Sequence, residues 1–145
     1  MRFLFITLLF GIAFSYNPYM DYMLCRDLQE KDPSKAESYC LRALERAPTP
    51  TLYVDVIRLE MRLKKHEKAL KIANEFKNKY PDIPEPYLLL HSLYMSKKET
   101  ERALKVLEEG YSKNPESKEI MVFLAEDYLK RKDFVKAKAV LENLA

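Results

Sequence analysis

The stretch that decides the fold runs from residue 87 to residue 115 and reads YLLLHSLYMSKKETERALKVLEEGYSKNP. Residues three and four apart, which share one face of a helix, come first: Tyr87, Leu90, His91 and Tyr94. A second set with the same kind of spacing follows: Ala103, Leu107 and Gly110, with Pro115 behind it. The polar residues 96–101 between the two sets leave room only for a tight turn. The stretch therefore predicts a helical hairpin.

This hairpin recurs along the chain with a repeat period of about 34 residues. The alanines that open a second helix follow this period: Ala36, Ala69, Ala103 and Ala137. The prolines that close one follow it too: Pro48, Pro81 and Pro115. Such self-similarity indicates stacked units that bury their apolar faces against each other. We expect eight helices in four hairpins, with repeats at about 17–50, 51–83, 84–117 and 118–145.

These positions resemble the tetratricopeptide repeat, whose first helix carries a large residue, a leucine, a small residue and a tyrosine, and whose second carries an alanine, a bulky residue and a final proline. The third unit matches through Tyr87, Leu90, His91, Tyr94, Ala103, Leu107 and Pro115. The fourth matches through Met121, Leu124, Ala125, Tyr128, Ala137 and Leu141. The second matches more loosely through Val54, Ile57, Arg58, Met61, Ala69, Ala73 and Pro81, and the first through Ala36, Cys40, Ala43 and Pro48. The resemblance implies an all-α, right-handed solenoid of about four helix-turn-helix hairpins.

The first fifteen residues differ in composition from the rest. Arg2 precedes a continuous apolar run over residues 3–14, and Ala13 and Ser15 supply small residues at the spacing that a signal peptidase recognises. A run of this length falls short of the roughly 20 residues that span a bilayer. We expect residues 1–15 to be a signal peptide, cleaved before Tyr16, so that the protein is periplasmic or secreted. The alternative is an uncleaved membrane anchor.

The composition offers little material for catalysis. His66 falls in a predicted turn and His91 on a helix, and neither has neighbours that would complete a zinc site or activate a nucleophile. The chain has 2 glycines, too few for a phosphate-binding loop. Its 25 basic residues are nearly balanced by 22 acidic ones, unlike a nucleic-acid-binding surface. We therefore expect no enzyme, cofactor or metal, and no nucleic-acid or small-molecule partner.

The two cysteines, Cys25 and Cys40, lie on inward faces of one predicted hairpin. A bridge requires Cα atoms within about 7 Å, and we expect the repeat to set the two residues about one helical turn apart in height. A disulfide is possible in an oxidising compartment. The alternative is a pair of buried small apolar residues.

A partner is expected on the concave side, which the first helices of such a stack line. The core positions of these helices are predicted to be Val54, Ile57 and Met61, then Tyr87, Leu90 and Tyr94, then Met121, Leu124 and Tyr128. The stripe beside them should face the groove: Asp55, Leu59, Arg62, Leu88, Ser92, Met95, Val122, Glu126 and Leu129. Because five of these nine residues are apolar, they suit a groove for a helix or an extended peptide. Alternatively, they complete the packing between adjacent hairpins.

The last predicted helix is apolar at Phe134, Ala137, Val140, Leu141 and Leu144, and no polar capping helix follows it. Either the chain is the N-terminal part of a longer repeat protein, or this end docks on another molecule, including a second copy. The sequence therefore predicts a protein-binding scaffold, in a bacterial envelope assembly or secretion setting. A self-associating structural protein that forms a homo-oligomer through the C-terminal helix is the alternative.

Overall fold

The structure, a computed structural model, describes residues 17–145, so the predicted signal peptide and its cleavage point lie outside the described residues. Residues 17–145 contain no strand and form eight helices. These are α1 (Pro18–Lys31), α2 (Pro33–Arg46), α3 (Pro50–Arg62), α4 (His66–Lys79), α5 (Glu85–Ser96), α6 (Thr100–Lys113), α7 (Lys118–Lys130) and α8 (Phe134–Leu144). The predicted all-α stack of four hairpins is confirmed.

Short polar side chains and prolines determine where several helices begin. Asn17, Asp32 and Thr49 each accept a hydrogen bond from a backbone amide of the following turn, at 3.0, 3.1 and 3.2 Å. Each is followed by a proline at the first helical position, where its missing N–H is not needed. Ser117 and Asp133 cap α7 and α8 with their side chains. The sequence thus encodes these five starts locally.

The turn within each of the last three hairpins recurs with the repeat period. Lys64, Lys98 and Lys132 each have a φ of 59°, the left-handed conformation that breaks a helix. Each is the middle residue of a three-residue turn. Because the three turns are alike, they align the hairpins residue by residue. Tyr53 of α3 therefore corresponds to Tyr87 of α5.

This alignment corrects the predicted core of α3. The prediction placed Val54, Ile57 and Met61 on the inward face. The structure confirms Ile57 as buried and adds Tyr53 and Val56 to it, while Val54 and Met61 are only partly buried. Apolar residues surround most of α3, so its hydrophobic periodicity fits two faces almost equally well. The register of this helix is fixed by stacking on its neighbours.

The first hairpin has a shorter turn and contains a disulfide. Only Asp32 separates α1 from α2, two residues fewer than in the other hairpins. Cys25 and Cys40 are fully buried and joined, with their Cα atoms 4.7 Å apart. The expected offset of one helical turn between them is wrong, because the shorter turn shifts α1 by two residues relative to α2. The bridge links the two helices directly.

The core runs along the stack as two clusters of buried apolar side chains. One extends from Cys25 in α1 to Ile120 in α7, and the second from Leu107 in α6 to Val140 in α8. Consecutive hairpins meet where α2 contacts α3, α4 contacts α5 and α6 contacts α7. In addition, α3 contacts α5 directly. First helices therefore lie side by side and can form a common surface.

Candidate protein-binding groove

A hollow of about 490 Å³ lies between α3, α5 and α7. Its walls are formed by Val54, Arg58, Met61, Glu85, Leu88, Leu89, Ser92 and Glu119. The surface continues along α7, where Val122, Phe123 and Leu129 remain 41%, 43% and 44% exposed. These three lie one repeat period after Leu88, Leu89 and Met95. We refer to the residues that line this hollow, together with Met95 on α5 and Val122, Phe123, Glu126 and Leu129 on α7, as the groove.

The groove has an ordered pattern because its residues recur at the repeat period. One apolar row consists of Val54, Leu88 and Val122, and a second consists of Met61, Met95 and Leu129. A polar row of Arg58, Ser92 and Glu126 runs between them. On each helix the three members are separated by three or four residues, so they share one face. The result is two apolar rows with a charged and polar row in the middle.

The predicted groove residues on α5 and α7 lie on this surface or at its edge. Leu88 and Ser92 line the hollow, and Val122, Glu126 and Leu129 are exposed on α7. Met95 borders a second, smaller hollow that Lys130 and Arg131 also line.

The three residues predicted on α3 do not form the groove together. Leu59 is fully buried and belongs to the core, so its predicted position is wrong. Asp55 is partly buried, and burial raises the pKa of its carboxyl, although Arg26 and Arg58 oppose the rise. Arg62 is exposed but donates to the Gln29 carbonyl at 3.1 Å.

Val54, Arg58 and Met61 occupy the groove positions of α3, and sequence reasoning missed them in this role. The signal that could have found them is a count of one repeat period back from Leu88, Ser92 and Met95. The prediction instead followed the apolar spacing of α3 alone, which is ambiguous. The period of the whole array is the more reliable guide.

Basic side chains at the carboxyl ends of the first helices bind the preceding hairpin. Lys97 donates to the Glu67 carboxylate at 2.6 Å, and this hydrogen bond raises the pKa of Lys97. Arg131 makes the corresponding ion pair with Glu101 and also donates to the Thr100 carbonyl at 2.9 Å. These cations at the groove's edge are therefore engaged within the stack.

Below the exposed face of α7, His91 and Asp127 form a buried contact between the third and fourth hairpins. The His91 Nε2 atom lies 2.8 Å from Asp127 Oδ2, and the two residues are 8% and 7% exposed. The His91 ring also contacts Phe123, with centroids 5.7 Å apart. His91 thus joins two hairpins, as a helix-interface residue does, and supports the position of Phe123 in the groove.

No group of three or more metal-ligating side chains is found among residues 17–145. In the same part of the chain, no helix has the length and apolar character that crossing a bilayer requires.

The comparisons with known proteins agree on the fold. A family model for the tetratricopeptide repeat matches residues 94–145. A tetratricopeptide repeat protein from Parabacteroides merdae superposes with a TM-score of 0.74 at 20% identity, over 88% of this chain and 52% of that one. MamA from Desulfovibrio magneticus superposes with a TM-score of 0.68 at 16% identity, over 88% of this chain and 73% of that one. A thermophilic tetratricopeptide repeat protein from Thermus thermophilus superposes with a TM-score of 0.62 at 20% identity, over 88% of this chain and 73% of that one. The sequence has no significant match among curated proteins.

Stacked hairpins with a groove along their first helices define an α-helical repeat protein, a class that binds partners on its extended concave surface. The repeat period, the shared fold over residues 17–145 and the family match at residues 94–145 identify it further. Residues 94–145 match the tetratricopeptide repeat family, and the fold of residues 17–145 is that of tetratricopeptide repeat proteins. Proteins of this kind are generally non-catalytic scaffolds for other proteins.

Proposed function

We propose that this protein is a non-catalytic scaffold that holds a helix or an extended segment of a partner protein in the groove. The observation that carries the proposal is the exposure of Val122, Phe123 and Leu129, each above 40%, on one helix. A contiguous exposed apolar patch on a protein surface is typical of an interaction site. The polar row beside it supplies contacts that orient a bound segment.

Packing between hairpins is the alternative explanation for the apolar rows, and it accounts for part of them. Leu59 is entirely buried within the stack. Leu88 and Leu89 are partly buried against the core and also line the hollow. Packing does not account for the exposed side chains of α7, because no element among the described residues covers them. The groove proposal therefore rests most strongly on its α7 side.

We place this activity outside the cytoplasm, in a bacterial envelope assembly or secretion setting. Residues 1–15 have the pattern of a signal peptide. A disulfide between Cys25 and Cys40 suits an oxidising compartment. Both features support export, and neither names the partner. Immunoblotting of periplasmic, secreted and membrane fractions tests this part, and retention of the full-length chain in the cytoplasm would contradict it.

A pull-down from envelope extract tests the groove. In the test variant, Leu88→Glu is combined with Val122→Glu, which places two charges in one apolar row. We expect this variant to lose the partner while its helical circular dichroism is retained. The control is Val135→Glu, which adds a charge at a residue that is 82% exposed on α8. Equal capture by the wild type and the groove variant would contradict the proposal.

The second candidate function is self-association through α8, because its apolar residues are also exposed. Phe134, Val135 and Leu141 are 63%, 82% and 43% exposed. Leu107, which lies one repeat period before Leu141, is fully buried. Light scattering distinguishes this function: a dimer at micromolar concentration that Leu141→Glu dissociates would favour it. A monomer that still binds a partner would favour the groove.

A further inference from the structure

The charged residues along the groove are not evenly distributed in sign. Glu85 and Glu119 lie one repeat period apart at the amino-terminal ends of α5 and α7, and both line the hollow. Glu126 lies two turns further along α7, beside Val122 and Leu129. All three carboxylates are exposed. None makes an ion pair with a lysine or arginine among residues 17–145.

Most basic residues near the groove, by contrast, already have carboxylate neighbours; the exception is Lys130, which lines the hollow beside Met95 and makes no ion pair among residues 17–145. Arg58 acts on the carboxyl of Asp55 on its own helix. Arg62 pairs with Glu30, and Lys97 with Glu67. Arg131 pairs with Glu101. The α5 and α7 side of the groove is therefore acidic, although the chain as a whole carries a net charge of +3.

Acidic and apolar residues alternate along α7 at helical spacing. Glu119, Val122, Glu126 and Leu129 follow one another at steps of three, four and three residues. Residues at these steps lie about 5–6 Å apart on a helix surface. A partner helix that runs along α7 presents its own side chains at the same intervals. Its apolar residues can meet Val122 and Leu129 while its charged residues meet Glu119 and Glu126.

From this complementarity, and resting on the proposed binding function, we infer that the groove takes a cationic amphipathic helix. The partner segment carries lysine or arginine together with large apolar side chains on one face. Its apolar residues provide most of the buried contact. Its positive charges are attracted to unpaired carboxylates, which favours this partner over acidic or neutral segments and speeds association.

Binding of three fluorescent peptides, measured by fluorescence anisotropy, tests the inference. Each peptide has about 15 residues, which form roughly four turns of helix. The first is a helix of leucine and lysine, the second has glutamate in place of lysine, and the third has serine in place of leucine. We expect only the first to bind tightly and its affinity to fall as salt is added. The peptide without leucine should bind weakly, since charge alone contributes little at an exposed surface.

Variants of the protein show whether the groove carboxylates are responsible. Glu119→Lys combined with Glu126→Lys should weaken the leucine–lysine peptide by about tenfold or more and strengthen the leucine–glutamate peptide. Glu45→Lys, an exposed glutamate on α2, makes the same substitution elsewhere and should change affinity less than about twofold. The milder Glu126→Gln provides the same comparison if the double variant does not fold.

The outcomes separate this inference from the proposed function. Equal binding of the lysine and glutamate peptides, both abolished by Leu88→Glu with Val122→Glu, would overturn the inference and leave the groove function intact. Binding of the lysine peptide that the Glu119 and Glu126 substitutions do not alter would also overturn it. Failure of all three peptides, or binding that the Leu88 and Val122 substitutions do not affect, would overturn both.

Discussion

Glu60 occupies the position at which α5 and α7 carry Tyr94 and Tyr128, counted along the repeat period. It is fully buried, and neither of its carboxyl oxygens has a hydrogen-bond partner. The Lys68 ammonium is 3.6 Å away but lies closer to Glu37, at 2.6 Å. Burial raises the pKa of Glu60, and the Glu37 carboxylate raises it further. Burial therefore disfavours the charged form of Glu60 relative to its form in water.

The first prediction concerns Glu60 and pH. Because its folded-state pKa is raised, Glu60 contributes stability that is complete below its ordinary pKa of 4.5 and is lost as pH rises through the folded-state value. Glu60→Gln keeps the shape without the charge. We compare the unfolding free energy of this variant with that of the wild type at two pH values. We expect the difference in favour of the variant to be about 1 kcal/mol or more larger at pH 8 than at pH 4.

Urea unfolding at several pH values measures this difference, with Glu45→Gln as the exposed control. Glu37 is present in both proteins, so its own titration cancels in the comparison, and hydrogen bonds from Lys65 and Lys68 lower its pKa. Its contribution is therefore lost only as pH falls below 4.5. A wild type and a Glu60→Gln variant with parallel pH profiles would show that the folded-state pKa of Glu60 is not raised.

The second prediction concerns Gly110, which packs against Tyr87. A Cβ added at Gly110 would lie 2.7 Å from the Cγ of Tyr87, and the Tyr87 hydroxyl donates to the Pro81 carbonyl at 2.8 Å. Alanine normally stabilises a helix by about 1 kcal/mol relative to glycine. Overpacking of a fixed ring costs about 1–3 kcal/mol. We therefore expect Gly110→Ala to destabilise the protein or leave it without the usual gain.

A double-mutant cycle gives the matched control. In a Tyr87→Leu background the added methyl group meets a smaller and more flexible side chain. There Gly110→Ala should cost less, or become stabilising, in the same urea experiment. If Gly110→Ala raised stability by its full helix propensity in the wild-type background, the close contact would not exist.

Individual contacts of this kind are only partly predictable from the sequence. The sequence places His91 on a helix, at the position where the repeat pattern has a small residue. Its partner Asp127 lies 36 residues further along the chain, so no local spacing points to it. Glu60 looks like any of the solvated charges around it in the sequence. A buried polar residue becomes visible only when the register of its helix is known.

At the level of the elements, the first hairpin differs most from the others. Its buried cysteines occupy the positions that Leu90 and Leu107 hold in the third hairpin, after allowance for the shorter turn. A bridge between residues 15 apart restricts the unfolded chain, which stabilises the folded state by about 3 kcal/mol in the loop-entropy treatment. The disulfide therefore stabilises the first described hairpin, which packs against one neighbouring hairpin among residues 17–145.

The third prediction follows from this bridge. Replacing both cysteines with alanine, or adding a reductant, should lower the unfolding free energy by about 2–4 kcal/mol. Thermal unfolding with and without reductant measures the effect on the wild type, and mass spectrometry after alkylation confirms that the bridge is present. The alanine variant is the control, because its stability should not respond to the reductant. An oxidised and a reduced wild type of equal stability would contradict the role assigned to the bridge.

The four hairpins were predicted well because prolines and tight turns are local signals. The inward face of α3 was not predicted correctly. Its apolar residues offer no contrast between inside and outside: Tyr53, Val54, Val56, Ile57 and Leu59. The clearer periodicity of α5 and α7 indicated the correct face. As a result the residues predicted on α5 and α7 lie along the groove surface or at its edge, whereas those predicted on α3 are displaced from it by one residue.

Across the whole molecule, each hairpin depends on its neighbours. Lys97 and Arg131 reach back to the preceding hairpin, and His91 reaches forward to the next. The repeat period made this architecture predictable from the sequence, because a unit that recurs regularly must stack to bury its apolar face. The period also places the first helices side by side, which creates the groove.

The central claim is that the groove, and not the surface formed by the second helices, contacts the partner. Photo-crosslinking in envelope extract tests it most directly, with benzoylphenylalanine placed at Ser92 in the polar row or at Ser112 on α6. Both residues are exposed and belong to the same hairpin, so they differ mainly in the surface they report. We predict a crosslinked partner from Ser92 that is absent or far weaker from Ser112. A partner captured from Ser112 and not from Ser92 would contradict the account.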